Sequence, residues 1–362
     1  MSRFLCTADI HISNRTVCAN AASGGMSRLG TYMKVMEDLV TLAKHHGTRH
    51  VFLVGDVLDK KHGTPREVLR SLYRFFRKVK YRTDVKFHYL RGNHETPDNS
   101  NPHDTVMDLF GEVVHVVSRP AVLEWQDTSL YLLPWYPENT MIAVARKMAL
   151  KARAMQKIEH GSRKHILLAH VGVKEGRISS SGFEIPQRVS LSHLYPSIFD
   201  LIMLGDYHCH QWLSSNAMYV GAPLSHIFGD EGYVGPWLVD TNSMEVESLT
   251  LPTRPPKHVQ WRITDPEALV IPGYDAFDHN RIYGPATCLH ALRVMYPAAD
   301  VLLETALPAE VQNSSTMIQL KGAELTDPTK LIPRYLLSRG KAASESKLLV
   351  ELGLDLIGEV QK

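Results

Sequence analysis

The chain alternates between two apolar patterns. Short hydrophobic runs at Phe4–Ala8, Val51–Val54, Val85–Leu90 and His165–Ala169 are separated by longer stretches with helical spacing. A strand sends successive side chains to opposite faces, whereas a helix gathers positions i, i+3, i+4 and i+7 on one face. Leu29, Met33, Met36, Leu39, Val40 and Ala43 follow the helical rule, and Gly47 stands where a C-terminal cap belongs. Pro65–Lys80 repeats the pattern, with Pro65 suited to a first turn. Val113–Val117, Ala121–Trp125 and Ser129–Leu133 read as successive strands and Glu138–His160 as a long helix. Leu201–Leu204, Ala217–Gly221, Trp237–Asp240 and Met244–Leu251 read as further strands. Strands and helices mixed in this way predict an α/β sandwich of two or three layers.

The Pro-rich polar string Pro252–Lys257 marks a boundary. Beyond it come a strand (His258–Ile263), a helix (Thr287–Met295), strands at Val301–Glu304 and Met317–Leu320, and a helical last forty residues. The expected organisation is a catalytic domain over residues 1–251, a smaller α+β capping domain over 252–323, and a helical tail over 324–362. In the tail, Lys347, Glu351, Asp355 and Glu359 form a narrow polar stripe, and apolar residues fill the rest. An apolar face that wide needs something to pack against.

Composition narrows the class. With 44% hydrophobic and 22% charged residues in 362, disorder and fibrous repeats are excluded. The longest stretch free of Asp, Glu, Lys and Arg, Tyr207–Gly229, carries three histidines and is no membrane span. Asp9 interrupts the only apolar start, so no secretory signal is expected. Four scattered cysteines, Cys6, Cys18, Cys209 and Cys288, suggest a reducing, cytoplasmic compartment without disulfides. The net charge of +2 hides an asymmetry: residues 1–239 hold 28 basic and 22 acidic side chains, residues 240–362 hold 12 and 16. Of the 19 histidines, 16 precede residue 240, which directs the search for chemistry to that part.

Five short motifs there each follow a strand-like run: Asp9-Ile-His11, Gly55-Asp56-x-x-Asp59, Gly92-Asn93-His94-Glu95, His170 closing "ILLAH", and Gly205-Asp206-Tyr207-His208. Ligand-binding loops gather at strand ends in α/β sheets. Asp, Asn and His are oxygen and nitrogen ligands, suited to divalent Mn, Fe or Zn rather than to a thiolate site. Seven or eight such groups exceed the needs of one ion and suit two, bridged by a carboxylate. Taken singly, Asp59 reads as a cap or turn residue and His170 as a core histidine; the ordered set of five gives the metal reading its weight.

This order of motifs resembles the calcineurin-like metallophosphoesterase superfamily, over residues 3 to about 240. The resemblance implies a β-sandwich flanked by helices. It also implies one ion held by Asp9, His11, Asp56 and His208, and a second held by Asp56, Asn93, His170 and Asp206. Asp56 would bridge, and the pair would polarise a phosphodiester and supply the nucleophile for in-line attack. His94 would stabilise developing charge or protonate the leaving oxygen. The superfamily usually has His where this chain has Asp206, and His210 is a rival ligand two residues on from His208.

Within the superfamily, "ADIH", "IFDLIMLGDYH" and "YVGAPLSHIFGDEG" resemble the SbcD-like nuclease subunit of SbcC–SbcD-type DNA repair complexes. That resemblance implies manganese as the metal and exonuclease action on DNA ends, with single-strand endonuclease action beside it. It implies as partners DNA, an SMC-like ATPase subunit docked on the tail, and a second copy of the chain. The alternatives are a small-molecule or protein phosphoesterase of the same superfamily, or a scaffold whose second metal site has decayed. Residues 60–91 hold eleven basic and two acidic side chains, and Lys60, Lys61, His62, Arg66 and Arg70 are the candidate DNA contacts. The aromatic pairs Trp135–Tyr136 and Phe75–Phe76 read as core.

Overall fold

A computed structural model of the chain describes residues 3–14, 28–99, 101, 105–125, 127–158, 163–177, 189–226, 228, 235–267 and 269–303. Alternation along the strands decides which side chains meet. In β1 (Arg3–Thr7) Phe4 and Cys6 face one core and Leu5 another; in β2 (His50–Val54) Phe52 and Val54 join the first, Val51 and Leu53 the second. The same split recurs in β6 (Thr128–Leu133), β7 (Lys164–His170) and β8 (Leu201–Gly205). Two sheets therefore share one inner core, built from residues such as Phe4, Phe52, Leu130, Ile166, Leu168 and Met203. Each sheet has an outer face that helices cover.

The first sheet runs β12 (Val246–Ser248), β11 (Trp237–Asp240), β1, β2, β3 (Lys86–Leu90), β4 (His115–Val117). From β1 to β4 the strands are parallel. Its outer face packs α1 (Arg28–His45) and α2 (Arg66–Arg82). In α1 the buried positions Tyr32, Val35, Met36, Leu39, Leu42 and Ala43 form one stripe. Gly47 ends the helix at φ 65°, where the Thr48 N–H reaches back to the Ala43 carbonyl at 2.9 Å. Pro65 sits just ahead of α2. The second sheet runs β5 (Ala121–Glu124), β6, β7, β8, β10 (Ala217–Tyr219), β9 (Gln211–Ser214), and α3 (Glu138–Ile158) covers it. The sandwich thus has four layers, α/β/β/α, where two or three were expected, because two sheets rather than one share the inner core.

Residues 258–303 add a three-stranded sheet, β13 (His258–Arg262), β14 (His279–Gly284) and β15 (Asp300–Leu303), with the short helix α4 (Leu289–Met295) and a separate core around Ile282 and Leu292. Two strands lie where the pattern suggested none. β14 is "HNRIYG", whose buried His279 and Asn280 give no apolar alternation; Asn280 is held by hydrogen bonds to Trp261 and to the Asp275 and Asp278 carbonyls. β9 is a half-exposed edge strand that pairs antiparallel with β10. The expected strand at Val113–Val117 begins only at His115, after a 3₁₀ turn over Val106–Phe110. The expected strand Met317–Leu320 and the helical tail 324–362 lie outside the described residues. Among the described residues, no helix is long and apolar enough to cross a membrane.

Across β2–β4 three histidines form a chain, His50 and His115 at the starts of their strands and His88 in the middle of β3. His50 Nδ1 lies 2.8 Å from His88 Nε2, and His88 Nδ1 lies 2.8 Å from His115 Nδ1. His88 also stacks on Phe52, ring centroids 4.3 Å apart. A cleft of about 520 Å³ opens beside them, walled by Phe76, Phe87 and Trp125.

Candidate metal centre

All five motifs arrive at the C-terminal ends of parallel strands. Asp9 and His11 follow β1, Asp56 follows β2, Asn93 and His94 follow β3, His170 ends β7, and Asp206 and His208 follow β8. The loops after β1 and β2 zip together through Asp9 N–H to the Gly55 carbonyl (3.1 Å), His11 N–H to the Asp56 carbonyl (2.9 Å) and Ile12 N–H to the Val57 carbonyl (2.7 Å). The required turns are sharp: Asp9, His11, Asp56 and Asp206 have φ of 54°, 50°, 49° and 106°. Space is tight as well. A Cβ on Gly55 would overlap the His170 ring, and one on Gly92 would overlap the Asp56 carboxylate.

Glu95 ties two of these loops together. Its Oε2 accepts from the backbone N–H of Asp56 (3.0 Å) and Gly92 (2.8 Å); its Oε1 accepts from Leu58 N–H (2.8 Å) and the Tyr89 hydroxyl (2.9 Å). Burial, then the Asp56 charge, raises the Glu95 carboxyl, while backbone donors at Leu58 and Gly92 oppose the rise.

Three overlapping groups have ligand atoms close enough to share an ion: Asp9, His11 and His208; His11, Asp56 and His94; and Asp9, Asp56 and His170. His11 and His208 bring their Nε2 atoms within 3.0 Å of each other. His170 donates from Nδ1 to the Val54 carbonyl at 2.8 Å, which turns Nε2 into the cluster. There it lies 3.3 Å from Asp56 Oδ1, 3.7 Å from Asp206 Oδ1 and 2.9 Å from Asn93 Oδ1.

Protonation equilibria report a demand for positive charge at this spot. Burial pulls the His170 imidazole down, but the Asp56 carboxylate, then Asp9 and Asp206, raise it well above its ordinary range. Burial would raise Asp56, yet His170 holds its carboxyl below the usual range. Burial raises Asp9 well above normal, and Asp206 is pushed up to about 6 by burial and by Asp56 against the pull of His170. His11 stays neutral, chiefly through burial. With the Asn93 amide turned over, its NH₂ would donate to His170 Nε2 (2.9 Å) and to both Asp56 oxygens (3.0 and 2.9 Å). Either arrangement places a polarised hydrogen where acceptors converge, the requirement that a divalent cation also meets. An oxygen- and nitrogen-only donor set containing three carboxylates fits a hard or borderline ion.

Asp56 belongs to two of these groups, one with His11 and His94 and one with Asp9 and His170, and Asn93 and Asp206 reach the cluster beside His170. Divalent ions bound there supply Lewis acidity toward a phosphoryl group and a nucleophile at neutral pH. His94 is held by two hydrogen bonds. Its backbone N–H donates to Asp56 Oδ1 (2.9 Å), and its Nδ1 donates to the Asp59 carbonyl (2.6 Å). Its Nε2 lies 3.8 Å from Asp56 Oδ2, and the residue lines the cleft. Asp59 gives its backbone carbonyl to the Nδ1 bond, and the residue also lines the cleft.

His210 lies elsewhere. Its Nδ1 donates to the Tyr219 carbonyl at 2.8 Å, and its ring packs on Trp237 with centroids 4.4 Å apart. Lys60, Lys61, His62, Arg66 and Arg70 are all exposed, and the Lys61 charge reaches the cluster, lowering the Asp206 carboxyl. Tyr136, Phe75 and Phe76 are buried, but Trp135 is half-exposed, with the Lys61 ammonium 5.8 Å from its ring centre.

The cleft at the cluster, about 210 Å³, is also lined by Ser13, Arg28, Tyr32 and His226, none of them in the five metal motifs. His226 donates from Nε2 to the Asp9 carbonyl (2.7 Å), and its ring lies 5.1 and 4.9 Å from those of His11 and His208. Its sequence signals were its place in the string "YVGAPLSHIFGDEG" and in a His-containing stretch without charged residues. The 520 Å³ cleft beside His50 is larger but, among the described residues, lacks an imidazole–carboxylate cluster, so chemistry rather than volume locates the site.

The chain belongs to the calcineurin-like phosphoesterase family, whose pattern matches residues 2–210. Members of this family bind divalent metals, and the described residues hold a candidate Asp/His metal site. It is similar to a putative phosphoesterase of Invertebrate iridescent virus 3, 23% identical over 225 residues, which are 60% of each chain. The chain therefore spans about 60% of the length of that curated relative. Among solved structures it is similar to a dimetal phosphatase from Danio rerio (10% identity, TM-score 0.44) and to a phosphoesterase from E. coli (10% identity, TM-score 0.28). Each of these alignments covers 69% of this chain and 99% of the other.

Proposed function

We propose that the chain is a two-metal phosphodiesterase acting on DNA, the nuclease subunit of an SbcC–SbcD-like complex, with manganese as its metal. The observation that carries the hydrolytic reading is the overlap of ligand groups on Asp56 at the mouth of parallel strands. The DNA reading is supported by the basic residues after the Asp56 loop. Lys60, Lys61 and His62 are exposed, and α2 begins beyond them with Arg66, Arg70 and Arg74 exposed at i+4 spacing. The opposite face of α2 is buried through Val68, Leu72, Phe76 and Val79. Such a row can neutralise successive phosphates and makes binding salt-dependent. The α+β segment after the sandwich suits a capping domain, and the tail 324–362 suits docking on an SMC-like ATPase.

The second reading, a small-molecule or protein phosphoesterase, is favoured by the name of the similar viral protein, a putative phosphoesterase. A scaffold with a decayed second site is disfavoured by Asp206, whose carboxylate lies 3.7 Å from His170 Nε2.

The test is cleavage of end-labelled duplex DNA with manganese, run beside bis(p-nitrophenyl) phosphate. The nuclease reading expects DNA cleavage that weakens steeply with salt, with a shallower salt slope in an Arg66→Gln, Arg70→Gln variant, by about one unit per lost phosphate contact. Chromogenic turnover without DNA cleavage would place the chain among the small-molecule enzymes. Co-purification with the ATPase should be lost on deleting residues 324–362.

A further inference from the structure

Among the described residues, Arg28 is the only Lys or Arg lining the cleft at the metal cluster. It opens α1, and it is held on three sides. Its Nε donates to the Tyr32 hydroxyl (2.9 Å), its Nη2 to the His226 carbonyl (3.0 Å), and its Nη1 to His258 Nε2 (3.2 Å). A guanidinium only donates, so His258 Nε2 must be the acceptor. The His258 proton is then on Nδ1, where it meets the Ser225 hydroxyl at 2.9 Å. All three partners of Arg28 are neutral, and no carboxylate pairs with it among the described residues. Of its five N–H groups, one on Nη1 and one on Nη2 remain after these bonds. A fixed fork with two spare donors matches two oxygens of a phosphate.

Its place along the cleft decides which phosphate. Arg28 bonds the backbone carbonyl of His226, whose ring lies 5.1 Å from the His11 ring and 4.9 Å from the His208 ring. Arg28 therefore adjoins the ligands through His226, in the same cleft but bonded to none of them. We infer that Arg28, braced by Tyr32, His226 and His258, is a second anion subsite that takes the phosphate next to the scissile one. The inference rests on the phosphodiesterase reading and deepens it, since a chain of phosphates fills both subsites whereas a lone phosphate ester fills one.

The test is equilibrium titration of the full chain, with manganese, by thymidine 3′,5′-bisphosphate and thymidine 5′-monophosphate. Wild type should bind the bisphosphate about tenfold more tightly, the worth of a charge-assisted contact. Arg28→Gln should bring the ratio to about one. Arg28→Lys, which keeps the charge but not the fork, should leave about threefold, and it gives the reading if Arg28→Gln fails to fold. Equal binding of the two ligands by wild type, or a preference that survives undiminished in either variant, overturns the subsite. Turnover of bis(p-nitrophenyl) phosphate by wild type, measured separately, reports on the phosphodiesterase reading alone.

Discussion

The sandwich holds two histidine clusters, one at the C-terminal ends of its parallel strands and one across β2–β4. At the C-terminal ends, His11, His94, His170 and His208 sit among Asp9, Asp56 and Asp206, and His170 is driven well above its ordinary pKa by Asp56. Across β2–β4, His50, His88 and His115 bond to one another. Burial pushes His50 down to about 4 and His88 to about 3, with neighbouring basic and imidazole groups adding to the fall. The residue type is the same, and burial acts on both sets. The carboxylates make the difference: they turn one set into a cation site, while the other satisfies its own ring nitrogens as neutral imidazoles. A high histidine count was therefore a sound guide to the right part of the chain, but it did not separate the two clusters.

The largest expected break in this contrast is Asp56→Asn. It should remove charge from both proposed ion positions and lower phosphodiester hydrolysis by at least about 10³-fold, the loss of several kcal/mol of transition-state stabilisation. Metal content by mass spectrometry should fall with it; full activity in this variant would end the two-metal assignment.

A smaller effect is expected at Asp206. Asp206→Ala should leave one ion in place of two and slow turnover by about 10²-fold, whereas His210→Ala, remote from the cluster, should keep both. Because the Asp206 carboxyl is raised to about 6, occupancy of its ion should decline as pH falls through 6, where protons compete for the carboxylate. An unchanged metal count in Asp206→Ala would return the ligand role to another residue.

The smallest effect sharpens the other cluster. His88→Phe should alter neither metal content nor turnover, since His88 belongs to the neutral chain and stacks on Phe52 as a phenyl ring could. Its signature is pH-dependent stability. With a folded pKa of about 3 against about 6.5 unfolded, wild-type His88 favours folding fully above pH 6.5. That contribution is lost as pH falls toward 3, because the unfolded chain takes up the proton first. The melting temperature of His88→Phe should fall less than that of wild type over this range, and parallel curves would show that His88 is not buried as a neutral ring.

Much of the site was legible because each motif carries its own local signal, an apolar strand followed at once by Asp, Asn or His. Even His170, a lone residue, was marked by the strand "ILLAH" that it closes. Arg28 had no such signal. Its partners lie at positions 32, 226 and 258, and only the folded chain brings a helix start, a loop and the first residue of β13 together. β14 was hidden for a related reason: its interior is polar, satisfied by side chains distant in sequence, and so lacks the alternation that marks a half-buried strand.

The left-handed or otherwise positive φ at Asp9, His11, Asp56 and Asp206 has a consequence for laboratory evolution. Side chains with a Cβ cost on the order of 1–3 kcal/mol each in such backbone, and glycine does not. Glycine at these positions would relax the turns and disperse the crowded carboxylates. A library screened only for soluble yield or heat resistance should therefore be drawn toward glycine at 9, 11, 56 and 206, and would erase the chemistry while improving the score. Stabilising this scaffold for use calls for those four codons to be held fixed from the first round.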